Sequence, residues 1–270
     1  MKHSFLKMAV AAITTSMLFS FNANAQHQIA IGAHRGFWKT EACKDAQNSI
    51  KSLQLAQKYG FWGNECDVQL TKDNMVVVNH DNDINGLHIN STNYADLKDI
   101  RLKNGEKLPT IDSFLKQVEK SDQTVLVLEI KQAENDERSV LLTDLCIQKL
   151  LDHNLYDPER VIFISFNLAA CKHLAVVAPE FTTQYLSGNL SPDELHAYKI
   201  NGLDYHFNVF KKNPSWVKRA HELGMSVNCW TVNKENDIQD MIDLNVDCIT
   251  TNEPLLVRKM LGTREKQIVK

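Results

Sequence analysis

The sequence has no marked excess of charge of either sign, and this argues against one large class of function. The chain has 30 Lys and Arg residues and 33 Asp and Glu residues, which gives a formal net charge of −3. Domains that bind nucleic acid usually carry a basic excess that attracts the phosphate backbone. A nucleic-acid partner is therefore not expected for this chain.

Cysteine pairs with metal-binding spacing are also missing. The six cysteines include no C-x-x-C pair, so a structural zinc site has little support. Cys66, Cys229 and Cys248 lie within apolar, strand-like runs, where a free cysteine packs as a small hydrophobic residue. We predict few or no disulfide bonds, because a domain of this size does not need cross-links.

The only long apolar stretch lies at the amino terminus. Lys2 and Lys7 are followed by mostly apolar or small residues up to position 21, and Ala-Asn-Ala at 23–25 fits a cleavage site. The apolar stretch is shorter than the roughly 20 residues that a membrane span needs, and the three regions together are typical of a signal peptide. We predict that residues 1–25 are a signal peptide cleaved near Ala25, that the protein is secreted or periplasmic, and that it is not stably inserted in a membrane.

Residues 26–270 have no linker, low-complexity stretch or internal repeat, and short apolar runs alternate with helical patterns. Such alternation is typical of parallel βα units, and about 245 residues suit one (β/α)8 barrel. We therefore predict an α/β fold, a TIM-type (β/α)8 barrel, over residues 26–270. The predicted strands are 29–33, 62–68, 124–130, 160–164, 181–186, 202–207, 225–230 and 246–250, and the predicted helices include 47–59, 111–120, 137–153, 168–177, 214–223 and 235–244.

One apolar run, 75–79, does not fit this alternation. It follows the second strand after a short segment that ends in the turn-forming pair Asp73 and Asn74. A parallel crossover needs a dozen or more residues, so this run is expected to fold back antiparallel as a β-hairpin extension. His80 would then return towards the end of the barrel where the second strand ends.

Ionisable residues collect at the predicted carboxyl ends of the strands, where barrel enzymes have their active sites. Glu65 and Asp67 are two positions apart on the second strand, and side chains with that spacing share one face. Glu129 and Lys131 have the same spacing on the next strand. Carboxylates inside a barrel are costly to bury unless they are paired or bind a cation. Oxygen ligands suit Ca²⁺ or Mg²⁺ better than zinc.

A series of short motifs runs in order over nearly all of residues 26–270. The motifs are 33–36 (AHRG), 47–49 (QNS), 65–73 (ECDVQLTKD), 78–81 (VNHD), 108–111 (LPTI), 128–131 (LEIK), 229–233 (CWTVN) and 249–254 (ITTNEP). Any one of them alone is a weak signal, but the ordered series is specific. This series resembles the glycerophosphodiester phosphodiesterase family.

This resemblance implies a metal-dependent hydrolysis of glycerophosphodiesters to glycerol 3-phosphate and an alcohol. The sequence departs from the family at the entry to the first helix, where Gln47 replaces the usual acidic residue and Asn48 is kept. The expected site thus has three carboxylate ligands. By the same likeness His34 and His80 form the general acid/base pair, Glu65, Asp67 and Glu129 hold the divalent cation, and Arg35 and Lys131 contact the phosphate.

Three points stay open from the sequence. Trp230 either forms an apolar wall for the glycerol moiety or is a core residue of the barrel. The nucleophile is either water or the glycerol hydroxyl of the substrate, which would form a cyclic phosphate. Two other functions compete with this one. The first is a phospholipase D-like or phosphoinositide-cleaving enzyme, but the sequence has no evident amphipathic helix that would bind a membrane. The second is a protein that only binds phosphorylated ligands, but such a protein would not need two histidines for proton transfer.

Overall fold

Parallel strands close into a barrel in the computed structural model, which describes residues 28–262. The predicted signal peptide lies outside the described residues. Nine strands form the main sheet, and β1 pairs with both β2 and β11, which closes it. In chain order the strands are β1 (Ala30–Ala33), β2 (Gly63–Leu70), β3 (Val76–Val78), β4 (Asp83–Ile84), β5 (Leu87–His88), β6 (Val125–Ile130), β7 (Val161–Ser165), β8 (Thr182–Tyr185), β9 (Gly202–His206), β10 (Ser226–Trp230) and β11 (Cys248–Thr251).

Every strand of the main sheet except β3 runs parallel to its neighbours, and the order around the barrel is β1, β11, β10, β9, β8, β7, β6, β2. With the helices between these strands, this is the predicted TIM-type (β/α)8 barrel. None of the helices within residues 28–262 is both long and apolar enough to cross a membrane. The helices are α1 (Ile50–Lys58), α2 (Tyr94–Leu97), α3 (Ile111–Val118), α4 (Asp136–Asp152), α5 (Leu168–Val177), α6 (Pro192–Ala197), α7 (Phe207–Lys212), α8 (Ser215–Glu222), α9 (Glu235–Asp243) and α10 (Pro254–Met260).

The alternation of side chains along β2 separates the site from the core. Cys66 and Val68 belong to a buried apolar cluster with Leu128 and Ile130 of β6 and with side chains of α3, α4 and α5. Burial of each large apolar side chain there contributes roughly 1.5–3 kcal/mol to stability. The residues between them on β2 must therefore point to the inside of the barrel, because successive side chains on a strand point to opposite faces.

The predicted hairpin after β2 is confirmed. β3 pairs antiparallel with β2, with Val78 opposite Val68, and Asn74 in the turn has a left-handed φ of 65°. Arg138 of α4 holds this turn from outside, since its guanidinium donates to Oδ1 of Asn74 and to the carbonyl of Thr71. After β3 the chain forms a second, separate hairpin from β4 and β5 before it returns to the barrel.

The prediction that the first helix begins at Gln47 is wrong. This helix begins at Ile50, and the hydroxyl of Ser49 caps it by accepting from the amide of Ser52. Asn48 cannot be helical because its φ is +54°. Sequence periodicity also missed β4, β5 and the short helices α2, α6, α7 and α10, which have too few residues for a repeat to show.

The prediction of few or no disulfide bonds agrees with the structure. All six cysteines are free and buried. Burial raises the pKa of the thiol of Cys171 to about 12. These cysteines pack as apolar side chains, which agrees with their place in apolar strand and helix faces.

Candidate active site

Three carboxylates meet inside the barrel at the carboxyl ends of β2 and β6. Glu65, Asp67 and Glu129 are 2%, 1% and 7% exposed, and one ligand oxygen of each lies within 4.8 Å of those of the others. Asp67 is directly opposite Glu129 in the register of the two strands. The structure thus brings together the three residues that the sequence predicted as metal ligands.

These carboxylates have capacity left for a cation. Oε1 of Glu65 is buried and has no hydrogen-bond partner within residues 28–262. Oδ1 of Asp67 and Oε1 of Glu129 are buried as well, and the ammonium of Lys131 is the donor that lies near them. A buried, unpaired carboxylate oxygen is unfavourable, and a divalent cation relieves that cost. The donor set contains only oxygens, so Glu65, Asp67 and Glu129 could hold a hard metal ion such as Ca²⁺ or Mg²⁺.

Burial and the closeness of the charges also shift the pKa values of these three acids. Burial, followed by the nearby charges of Asp67 and Glu129, raises the pKa of Glu65 well above its usual value. Burial and the charge of Asp67 raise the pKa of Glu129 to about 8. Burial alone would also raise the pKa of Asp67, but Lys131, His80, Asn48 and Arg35 together lower it.

Lys131 is the cation already present beside these acids. Its Nζ lies 2.9 Å from Oε1 of Glu129 and 3.4 Å from Oδ1 of Asp67. Burial by itself would lower the pKa of Lys131, but the charges of Glu129 and Asp67 outweigh it and raise the pKa. A charged lysine at this position can also contact a phosphate oxygen.

The loop after β1 contacts the acids through the backbone of Arg35 and through its side chain, whose Nε lies 3.8 Å from Oδ2 of Asp67. The amide of Arg35 donates to Oε2 of Glu65 over 2.6 Å, and its guanidinium donates to Oε1 of Gln47 over 2.6 Å. Arg35 has a left-handed φ of 55°. The next residue, Gly36, has φ 81°, and a Cβ there would lie 2.3 Å from Oγ of Ser52. This close approach to α1 requires glycine and holds the Arg35 amide towards Glu65.

His34 lies at the carboxyl end of β1, and its orientation is set by an asparagine from the opposite end of the sequence. Its Nδ1 is 2.8 Å from Oδ1 of Asn252, which also accepts from the indole of Trp38 over 3.3 Å. Asn233 in turn accepts from the amide of Asn252. Burial, with the charge of Arg35, lowers the pKa of His34 to about 4, so its imidazole is neutral at pH 7.

His80 lies where the hairpin returns to the barrel. Gln69 of β2 fixes the backbone of this segment, because its Nε2 donates to the carbonyls of Asn79, His80 and Asp81 at 2.9, 3.2 and 2.6 Å. Nδ1 of His80 is 2.7 Å from Oδ1 of Asp81. His80 lines the same cleft as Glu129 and Lys131, and its charge lowers the pKa values of Asp67 and of His34. The acid/base roles of the two histidines stay predictions.

Trp230 lies at the mouth of the barrel and is half-buried. Its indole donates to the carbonyl of Asp204 over 2.8 Å, and it packs edge-on against Phe166 and His206. The contact with the glycerol moiety predicted for Trp230 stays a prediction. Asn252, Trp38 and Gln69 had no assigned role in the sequence. The position of Asn252 directly after the last strand was the available signal.

A cleft of about 630 Å³ opens beside His80, Glu129 and Lys131. Its walls are residues 80–83, His88, Asn90, Glu129, residues 131–134 and Phe166. The acids, the lysine and one histidine thus border a space of the size that takes a small ligand.

Comparison with known proteins assigns the family. The sequence model described as the glycerophosphoryl diester phosphodiesterase family matches residues 34–256. The chain belongs to this family. It is therefore an enzyme, a phosphodiesterase whose small-molecule substrates are glycerophosphodiesters.

Individual relatives agree with this assignment. A solved glycerophosphodiester phosphodiesterase from Parabacteroides distasonis is 44% identical with a TM-score of 0.85, over 88% of this chain and 99% of that one. The glycerophosphodiester phosphodiesterase of Caldanaerobacter subterraneus is 29% identical over 82% of this chain and 93% of its own length. A solved phosphodiesterase from Oleispira antarctica, in complex with the product sn-glycerol-3-phosphate, is 21% identical with a TM-score of 0.71, over 87% of this chain and 97% of that one.

Proposed function

We propose that the enzyme hydrolyses glycerophosphodiesters to glycerol 3-phosphate and an alcohol, with a divalent cation bound by Glu65, Asp67 and Glu129 and with His34 and His80 as the acid/base pair. The observation that carries this proposal is the buried group of three carboxylates, whose ligand oxygens lie within 4.8 Å of one another. The glycerol 3-phosphate in the Oleispira antarctica relative supports the identity of the product.

Charge neutralisation comes first in the proposed mechanism. When bound, Ca²⁺ or Mg²⁺ would stabilise the negative charge that develops on the phosphate oxygens. The guanidinium of Arg35 and the ammonium of Lys131 would contact these oxygens as well, because both lie beside Asp67. Arg35 offers a planar fork for two oxygens, and Lys131 offers a point charge.

Proton transfer is divided between the two histidines. His34 is neutral at pH 7, so its Nε2 can accept the proton of the attacking hydroxyl while Nδ1 stays bonded to Asn252. The oxygen of the nucleophile forms a bond to phosphorus, and the bond from phosphorus to the alcohol oxygen breaks. His80, held at Nδ1 by Asp81, gives a proton from Nε2 to the departing alkoxide. Each transfer can contribute about 10²–10⁴-fold to the rate.

The nucleophile in this scheme is either water or the 2-hydroxyl of the glycerol moiety. A diester whose glycerol lacks the 2-hydroxyl distinguishes the two routes. Continued hydrolysis of that substrate is expected if water attacks directly, and loss of hydrolysis is expected if a cyclic phosphate must form first.

A direct assay tests the proposed function. Purified enzyme should release glycerol 3-phosphate from glycerophosphocholine, glycerophosphoethanolamine and glycerophosphoglycerol, measured with a coupled dehydrogenase. Treatment with EDTA should abolish the release, and Ca²⁺ or Mg²⁺ should restore it. Full activity in excess chelator would contradict the metal assignment, and no release from any diester would contradict the reaction.

The proposed location is outside the cytoplasm, in the periplasm or the medium. This proposal rests on the basic, apolar and Ala-x-Ala regions within residues 1–25. Amino-terminal sequencing of the protein recovered from a periplasmic or culture fraction should begin at Gln26. An intact Met1 in the cytoplasmic fraction alone would contradict it.

A further inference from the structure

The cleft beside His80 extends well beyond the residues that the reaction uses. We call its outer part, formed by residues 81–83, His88, Asn90 and residues 132–134, the outer cleft. One wall is the segment that follows β3 and contains the β4–β5 hairpin, and the other is the loop after β6. His80, Glu129 and Lys131 line the inner end of the same cleft. A substrate whose phosphate lies beside these residues can therefore extend into the outer cleft.

The walls of the outer cleft contain more acidic than basic side chains. Asp81, Asp83 and Glu134 are exposed there, and the first two contact Nδ1 of His80 and of His88 at 2.7 and 3.1 Å. The only Lys or Arg among the lining residues is Lys131 at the inner end, which is already paired with Glu129 and Asp67. Such a surface repels a second phosphate and attracts a positively charged group.

Two further features indicate a ligand in this space. Asn90 is only 7% exposed and lines the cleft, yet its side-chain amide has no hydrogen-bond partner in the described part of the chain. This amide is accessible from the cleft, so its carbonyl oxygen is available to accept from a donor or to contact a cation of a bound molecule. Phe166 adds an aromatic ring to the same lining, and aromatic rings attract ammonium groups in recognition sites for quaternary amines.

We infer that the outer cleft binds the leaving alcohol of the substrate and selects alcohols with a positively charged nitrogen, such as choline or ethanolamine. This inference rests on the proposed function, because it takes His80 as the proton donor to that alcohol. The nitrogen lies a few atoms from the ester oxygen in both alcohols. It would therefore reach the acidic walls while the phosphate stays beside Lys131 and the carboxylates.

The experiment compares substrates that share their shape and differ in charge. Glycerophosphocholine and its 3,3-dimethylbutyl analogue, in which carbon replaces the quaternary nitrogen, are hydrolysed by the full enzyme, with glycerophosphoglycerol as a third substrate. We expect kcat/KM for glycerophosphocholine to exceed that for the analogue by about 3–10-fold, the size of one or two solvent-exposed charge contacts. The difference should lie mainly in KM and should shrink at 0.5 M NaCl, because salt screens exposed charges.

Two double variants test whether the preference for choline depends on the acids of the outer cleft. Asp83→Asn with Glu134→Gln removes two charges from the outer cleft and should lower the choline preference about 3–10-fold. The Asn side chain can still accept from Nδ1 of His88, as Asp83 does. Asp122→Asn with Glu159→Gln removes two exposed charges at segments before β6 and β7, at the other end of the barrel, and should leave the preference unchanged.

Each outcome decides the inference. Equal kcat/KM for glycerophosphocholine and its neutral analogue in the wild-type enzyme overturns it, and so does a preference that the Asp83/Glu134 double variant retains in full. If that variant fails to fold, the wild-type enzyme still tests the inference, through its ratio of kcat/KM for the two substrates at low salt and at 0.5 M NaCl. Hydrolysis of none of the three substrates would instead overturn the proposed function, and this inference with it.

Discussion

Asn48 and Asp67 are joined by two hydrogen bonds, one in each direction. Nδ2 of Asn48 donates to Oδ2 of Asp67 over 2.7 Å, and the amide of Asp67 donates to Oδ1 of Asn48 over 3.2 Å. The first bond occupies one carboxylate oxygen and leaves Oδ1 without a hydrogen bond. Asn48 therefore determines which oxygen of Asp67 is available to a cation.

Removal of the Asn48 side chain should weaken cation binding. Asn48→Gly keeps a residue that tolerates the left-handed φ of 54°, but it loses both hydrogen bonds to Asp67. We expect about 10–100-fold weaker affinity for Ca²⁺ or Mg²⁺, since residues that orient a ligand are typically worth that much. Isothermal titration calorimetry measures it. Asn154→Gly, at another left-handed asparagine with φ 54°, is the matched control, and equal affinities in the two variants would refute the role of Asn48.

Glu65 should contribute to cation binding through its negative charge. In Glu65→Gln the amide oxygen can still accept from the amide of Arg35, as Oε2 does now at 2.6 Å, but the negative charge is lost. We expect at least about tenfold weaker cation affinity, because hard divalent ions depend on carboxylate charge. Equilibrium titration with the metal alone is the measurement. Glu41→Gln changes an exposed acid in the loop after β1 and should bind the cation as the wild type does; unchanged affinity in Glu65→Gln would remove Glu65 from the ligand set.

Each histidine of the pair should be needed for turnover. His34→Ala and His80→Ala should each lower kcat about 10²–10⁴-fold, the usual contribution of a general acid or base, while circular dichroism and the melting temperature stay near those of the wild type. His173→Ala, on the surface beside Asp144, is the control and should keep normal turnover. Near-normal kcat in either of the first two variants would exclude that histidine from proton transfer.

Asp204 should make stability depend on pH. It is buried inside the barrel, its Oδ1 has no hydrogen-bond partner within residues 28–262, and burial raises its pKa from 3.8 to about 8. The folded state therefore keeps a proton that the unfolded chain releases above pH 4. Stability is thus lost as pH rises from about 4 to about 8, by up to roughly 1.4 kcal/mol per pH unit.

Asp204→Asn removes this titration with little change in shape. We expect the variant to gain stability relative to the wild type at pH 7.5 and to gain much less at pH 4.5. Urea unfolding at the two pH values gives both free energies of unfolding. The same difference between variant and wild type at both pH values would contradict a raised pKa for Asp204.

The fold could be predicted from local patterns because barrel strands are short apolar runs with turn residues between them. The apolar alternation around Cys66 and Val68 was sufficient to predict that Glu65 and Asp67 face the inside, since successive strand residues point to opposite faces. The chain length between β2 and β3 was sufficient to predict an antiparallel hairpin. Both predictions depend only on residues close in sequence, and the structure agrees with them.

Contacts between distant segments were decided by the tertiary structure alone. The bond of His34 to Asn252 joins residues 218 positions apart, and the place of Glu129 opposite Asp67 depends on the register of β2 and β6. The start of α1 was mispredicted because Asn48 leaves the helix to bind Asp67. The outer cleft, with Asn90 and Glu134 in its walls, has no motif at all. The sequence by itself determined which residues carry charge and which face of a strand they occupy, because these are local properties. Only the closed barrel determined which of them meet, because strand register and loop path depend on packing over the whole chain.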